Sequence, residues 1–149
     1  MRIHIGSDHA GLELKAELVT HLTSNGHDVT DHGPHEYDAL DDYPDFCIPA
    51  AEAVAKDPAS LGIVLGGSGN GEQMAANKVK GIRAALAWSI ETAKLARDHN
   101  NANVIAVGGR MHEISFVKEI IDTFIASPFS NDERHIRRIK KISDFENKG

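Results

Sequence analysis

Residues 61–77, Leu-Gly-Ile-Val-Leu-Gly-Gly-Ser-Gly-Asn-Gly-Glu-Gln-Met-Ala-Ala-Asn, constrain the fold more than any other stretch. The apolar run Leu61–Leu65 reads as a buried strand. In the turn that follows, Gly67, Gly69 and Gly71 alternate with Ser68 and Asn70, and a helix-forming stretch starts at once. Strand, glycine-rich turn and helix start gather free backbone N–H groups around one point, where an anion is welcome. Glu72 is out of place in a loop that only binds phosphate. At the lip of such a cup a carboxylate benefits an enzyme that moves a proton beside a developing oxyanion.

The alternation of strand and helix extends along the whole chain. Arg2–Ser7 reads as a strand, and Leu14, Leu18 and Leu22 recur at helical spacing up to Asn25-Gly26. His27–Asp31 reads as a second strand, and the polar, acidic stretch His35–Pro44 as a loop. A helix over Phe46–Ala55 takes Pro49 in its first turn. Ile63–Leu65, Arg83–Trp88 and Asn103–Val107 supply three more strands. Asn70–Asn77, Ile90–Arg97, the stripe Ile114 to Ile125 and Asn131–Phe145 supply helices. The expected fold is a doubly wound, Rossmann-like α/β domain with five parallel strands, helices on both faces and a C-terminal helix. Residues 1–149 are expected to form one domain.

In such a sheet ligands bind beyond the carboxyl ends of the strands. Asp8 and His9, Gly66–Glu72 and Gly108–Arg110 follow the first, third and fifth strands and belong at that edge. His99 and Asn100 precede the fifth strand and belong at the opposite edge. Either they bend back or they serve a neighbouring subunit.

Composition narrows the function. The net charge of −6 argues against general nucleic-acid binding, and no apolar run reaches membrane-spanning length. The chain opens on a strand-like segment instead of a signal peptide, and its one cysteine, Cys47, fits a reducing compartment, so a cytoplasmic location is expected. Arg134, Arg137, Arg138, Lys140 and Lys141 crowd near the C-terminus; Arg134 and Arg138 share a helical face and suit a phosphate.

Known signatures fail on the glycine loop. Gly71 is followed by Glu72-Gln73 where a Walker loop needs Lys-Ser/Thr, a dinucleotide fingerprint would follow the first strand, and Asn70 breaks a hydrolase elbow. His32 and His35 with Glu36, Asp38, Asp41 and Asp42 match no familiar metal spacing, and the loop has ordinary surface composition, so no metal site is expected. His4, His21 and His27 read as packing or surface residues. Asp8-His9 can form an acid–base pair near neutral pH.

Taken in order, Gly6-Ser7-Asp8-His9-Ala10-Gly11, Asp42-Tyr43-Pro44, Gly66–Glu72 with Ala75-Ala76-Asn77-Lys78, Gly81-Ile82-Arg83-Ala84, Arg97–Asn103, Gly108-Gly109-Arg110 and Arg134–Arg138 resemble the ribose-5-phosphate isomerase B family. That family belongs with the sugar-phosphate isomerases that include galactose-6-phosphate isomerase. The resemblance implies metal- and cofactor-free interconversion of ribose 5-phosphate and ribulose 5-phosphate through an enediolate, a step of the non-oxidative pentose phosphate pathway. It implies that His99 assists ring opening with Asp8 as partner, and that Ser68 with the loop from Gly67 through Gly69 and Asn70 to Gly71 stabilises the enediolate. His9, Asn100, Arg110, Arg134 and Arg138 would hold the substrate, chiefly its phosphate. It implies a homodimer whose sites combine both subunits. Many members carry a cysteine base where this chain has Gly66; the chain resembles the branch in which a glutamate, here Glu72, takes over. The alternatives are the same chemistry on a tetrose or hexose phosphate, and a noncatalytic sugar-phosphate-binding module.

Overall fold

A computed structural model describes residues 1–149. Its elements run β1 (Arg2–Ser7), α1 (Leu12–Ser24), β2 (Asp28–Asp31), α2 (Pro44–Lys56), β3 (Ser60–Gly66), α3 (Asn70–Asn77), β4 (Ala84–Leu86), α4 (Ile90–Asp98), β5 (Val104–Gly108), α5 (Ile114–Ala126) and α6 (Glu133–Glu146). The five strands are parallel, in the order β2-β1-β3-β5-β4. Chain direction then decides where each helix lands. The β1→β2 and β4→β5 connections step one way across the sheet, and β2→β3 and β3→β4 step the other. Right-handed crossovers therefore place α1 and α4 on one face and α2 and α3 on the other, and α5 packs beside α1 and α4.

The two faces differ in bulk. Ile3, Ile5, Ile63, Leu65, Ile105 and Val107 meet Leu14, Leu18, Leu22, Ile120, Ile121 and Phe124 on the α1 side. On the α2 side Val64, Val104 and Ala106 meet the small residues Cys47, Ala51, Val54 and Ala76, so the helices ride close. Strands β3 and β5 are buried along their whole length, which is why each reads as a continuous apolar run without polar alternation.

The topology builds the site. The loops after β1 and β5 leave toward the α1 face, while the loop after β3, which lies between them, leaves toward α2 and α3. Crevices open on both sides of the β3 loop, at the switch points of the sheet.

Several boundaries depart from the sequence reading. Helix α2 begins at Pro44, which takes the first helical position, so Pro49 lies in the second turn and not the first. β4 shrinks to Ala84–Leu86 because side chains intervene at its start: Arg83 N–H donates to Asn103 Oδ1 at 2.8 Å and Ala84 N–H to Asn77 Oδ1 at 2.8 Å. Helix α6 buries a single residue, His135, and leaves Ile136, Ile142 and Phe145 46%, 57% and 78% exposed. No helix is long and apolar enough to cross a membrane.

Candidate active site

Gly69 sits at φ 87°, a left-handed conformation that glycine adopts without a Cβ clash, and this bends the chain from β3 into α3. The amide N–H groups of Gly67, Ser68, Gly69 and Gly71 donate to no carbonyl or side chain of the protein. Asn70 N–H donates to Ser68 Oγ at 3.3 Å, which holds the exposed Ser68 hydroxyl at the mouth of the loop. The cup expected from sequence is therefore present.

Glu72 points back under that cup. It is only 4% exposed, and a Cβ on residue 66 would lie 1.5 Å from its Oε1. The missing side chain of Gly66 is thus the space the carboxylate occupies. Burial pushes the Glu72 carboxyl above its usual range; its own backbone N–H draws it partly back, and the Asp8 charge adds to the rise. Asp8 caps the turn after β1, its Oδ1 accepting from Ala10 N–H at 2.9 Å and Gly11 N–H at 3.3 Å. Cys47 is fully buried nearby. Burial first, then the charges of Glu72 and Asp8, push its thiol well up, so it stays protonated and cannot stand in for a thiolate base. Tyr43, the residue just before α2, packs its hydroxyl against Gly71.

The β5 loop closes the other side. Gly109 N–H donates to the Gly66 carbonyl at 2.7 Å and Arg110 N–H to the Gly67 carbonyl at 3.1 Å. These bonds lay the Arg110 side chain over Gly67, where a Cβ would meet its Cδ and Nη1 at 3.5 Å. A pocket of ≈ 260 Å³ lined by Ser68, Asn70, Trp88, Gly108, Met111 and His112 adjoins the loop.

His9 is gripped by a residue of the acidic 35–44 segment. Asp41 Oδ1 accepts from His9 N–H at 3.1 Å and from Nδ1–H at 2.7 Å, and the Asp41 side chain is 7% exposed. Tyr37 stands edge-on to the imidazole, ring centroids 5.9 Å apart. The 35–44 segment is therefore a wall of the site and not an ordinary surface loop. Its root is fixed by Lys15, whose buried ammonium donates to Asp31 Oδ1 at 2.7 Å and the Pro34 carbonyl at 2.5 Å. Nothing in the acidic composition of the segment distinguishes Asp41 from its exposed neighbours.

The remaining candidate residues stand at the opposite edge. His99 caps the end of α4, 45% exposed, with its ring centroid 4.4 Å from that of His135 on α6. His135 is itself fixed by Ser130 Oγ, 3.0 Å from Nδ1. Arg134 and Arg138 flank it on α6, both exposed, as is Asn100. The turn after His99 is clamped by two half-buried arginines. Arg83 donates to the Asn100 and Asn101 carbonyls at 3.0 and 2.7 Å, and Arg97 to Asn101 Oδ1 and the Ala102 carbonyl at 3.0 and 2.7 Å. Strand β5 separates this edge from the glycine loop by roughly 17 Å at about 3.3 Å per residue. His99 and Asn100 do not bend back. The candidate residues of one chain thus fall into two groups: Asp8, His9, the glycine loop, Glu72 and Arg110 at one edge, and His99, Asn100, Arg134 and Arg138 at the other.

His32 and His35 do not come together either. His32 Nε2 lies 2.9 Å from His4 Nδ1, and burial holds both rings below their usual range, while His35 stands 3.9 Å from Asp31. His21 pairs with Asp122 at 2.8 Å. A groove of ≈ 670 Å³ runs along the β4 edge between Ile82, Leu86, Trp88, Asn100, Ile142 and Glu146.

Comparison with known proteins places this geometry in a family. The family model described as Ribose/Galactose Isomerase matches residues 3–142. The chain is 58% identical over 146 residues to a protein named ribose-5-phosphate isomerase B from Mycolicibacterium paratuberculosis, covering 98% of this chain and 92% of that one. It is 42% identical over 145 residues to a galactose-6-phosphate isomerase subunit of Clostridium acetobutylicum, covering 97% and 83%. Among solved structures it superposes on ribose-5-phosphate isomerase B from Mycoplasma genitalium with bound ribulose-5-phosphate, with a TM-score of 0.96 at 46% identity over 99% and 97% of the two chains. The chain therefore belongs to the ribose/galactose isomerase family.

Proposed function

We propose that residues 1–149 act as one sugar-phosphate isomerase domain that interconverts ribose 5-phosphate and ribulose 5-phosphate, with Glu72 as the base. The observation that carries this reading is the buried carboxylate of Glu72 lodged over Gly66, beneath a loop of unpaired amides. A desolvated carboxylate raised above its usual range is the stronger base near neutral pH. Glu72 takes the proton from C2 of the open-chain aldose, and the C1 carbonyl oxygen becomes the enediolate oxygen. Ser68 and the amides of Gly67, Gly69 and Gly71 hold that oxygen, and Asn70 lines its approach. Protonated Glu72 then returns the proton to C1 while the hydroxyl proton passes from O2 to O1, leaving the ketose. The amides serve as the electrophile, so the chemistry needs no metal ion or cofactor.

The phosphate must stand away from Glu72. His9 and Arg110 take it from this edge, and Arg134 and Arg138 complete its cradle from a second copy of the chain. The same copy supplies Asn100 and His99, which with Asp8 opens the furanose ring. A homodimer of this kind is supported by the division of site residues between two edges and by the exposed apolar residues of α6. The protein works in the cytoplasm, in keeping with its single buried, unpaired Cys47. The likeness to a galactose-6-phosphate isomerase subunit supports a second reading, the same chemistry on a longer sugar phosphate.

Turnover of ribose 5-phosphate deuterated at C2 tests the assignment. A primary isotope effect in the unmutated protein and loss of activity in Glu72→Gln are expected. Full activity in that variant removes Glu72 as the base, and faster turnover of tetrose or hexose phosphates reassigns the substrate.

A further inference from the structure

Asp41 satisfies His9 twice through one oxygen. Its Oδ1 accepts from both the backbone N–H and Nδ1–H of His9, at 3.1 and 2.7 Å. A carboxylate facing Nδ1 fixes the tautomer, because only the protonated nitrogen can donate to it. Nε2 is then the nitrogen left without a hydrogen-bond partner in the chain. The second oxygen, Asp41 Oδ2, is buried without a partner although the side chain is only 7% exposed. Hydrogen bonding alone does not account for this choice of side chain. An asparagine would accept the same two bonds with its carbonyl oxygen and leave no bare charge in the wall. What the carboxylate adds, alongside the Asp8 carboxylate within 4.8 Å, is negative charge against the imidazole.

We infer that Asp41 is a positioning residue for the isomerase: it orients His9 and stabilises its imidazolium, so that Nε2–H donates to the substrate phosphate as a cation. The inference rests on the reading of His9 as a phosphate ligand given above. Carboxylate, imidazolium and phosphate dianion then form a line of alternating charge, the logic by which a buried aspartate supports a histidine that gains a proton. Tyr37, edge-on to the ring, limits its rotation. Lys15, anchored to Asp31 and the Pro34 carbonyl, fixes the root of the segment that carries Asp41. The acidic loop thereby gains a role in substrate capture that its composition does not suggest.

The test is a double-mutant cycle on His9 and Asp41. In Asp41→Asn the KM for ribose 5-phosphate should rise on the order of tenfold, as for loss of a charge-assisted bond, with kcat within about threefold and the melting temperature unchanged. In a His9→Ala background the same substitution should add nothing to KM. A lowered melting temperature with unchanged KM would make Asp41 a structural residue only. An equal rise of KM with and without His9 would show that it acts independently of the imidazole. If His9→Ala itself leaves KM unchanged, the phosphate assignment falls and this inference with it. If His9→Ala raises KM but Asp41→Asn does not, the inference alone fails. Nitrogen-15 NMR of the unmutated protein gives an independent reading: the His9 ring should carry protons on both nitrogens when saturated with inorganic phosphate. A ring that carries a single proton, on either nitrogen, overturns the proposal.

Discussion

The carboxylate of Glu72 occupies the volume that a side chain at position 66 would fill, with Oε1 1.5 Å from where a Cβ would stand. The two positions are mutually exclusive, so the identity of residue 66 decides whether the loop glutamate can reach the site. Gly66→Ala should expel the carboxylate and lower kcat by about 10²–10⁴-fold, the range for loss of a positioned base. Steady-state kinetics on the purified variant decide it, and near-normal kcat would show that Glu72 works from another rotamer.

Glu72→Gln should trade activity for stability. The folded-state value of this carboxyl lies above its unfolded value, so the folded protein holds the proton more tightly. That contribution is complete below the unfolded value and is lost as pH rises through the folded one, leaving a buried charge at neutral pH. The neutral amide removes that cost. Thermal unfolding at pH 7 should show an increase of about 2–4 °C for each kcal/mol relieved, shrinking as the pH is lowered toward the ordinary carboxylate range. A variant less stable than its parent at pH 7 contradicts a desolvated carboxylate.

The acid limb of kcat/KM follows from the same shift with the opposite sign. A base role for Glu72 requires its ionised form, so activity should climb with pH through a value above that of an ordinary glutamate. A pH–rate profile that is flat down to the usual carboxylate range points to a different base.

A site divided between subunits can be rebuilt from two damaged chains. Glu72→Gln and His99→Asn should each be inactive alone. After unfolding and refolding together at equal concentration, half the dimers are mixed and each mixed dimer carries one intact site, which predicts about a quarter of parental activity. No recovery means that the half-sites do not meet across an interface.

Arg83 holds the His99 turn through the Asn100 and Asn101 carbonyls, and burial lowers its own tendency to keep a proton. Arg83→Lys cannot span both carbonyls with one ammonium. It should cost about 1–3 kcal/mol in chemical denaturation and reduce kcat/KM through misplacement of His99. Unchanged stability would leave the clamp without a structural role.

The sheet was legible because β3 and β5 are buried on both faces and α1 and α5 carry clean apolar stripes. Gly66–Glu72 was legible for a similar reason, since few other pressures put so many glycines beside a carboxylate. Asp41 was not. Its burial depends on a long-range bond to His9 and on Lys15 anchoring the segment root, and neither leaves a periodic trace. The placement of His99 at the far edge followed from topology, whereas the arginine clamp that presents it lies in two segments that meet only in the fold.

Trp88 is the chain's one tryptophan, 61% exposed on the rim of the groove that also holds Ile142. An indole in that position emits as a hydrated fluorophore, and covering the groove with another protein surface would shift its emission to shorter wavelength. The molecule therefore carries its own optical probe of association, readable on dilution without a label and free of signal from any other tryptophan.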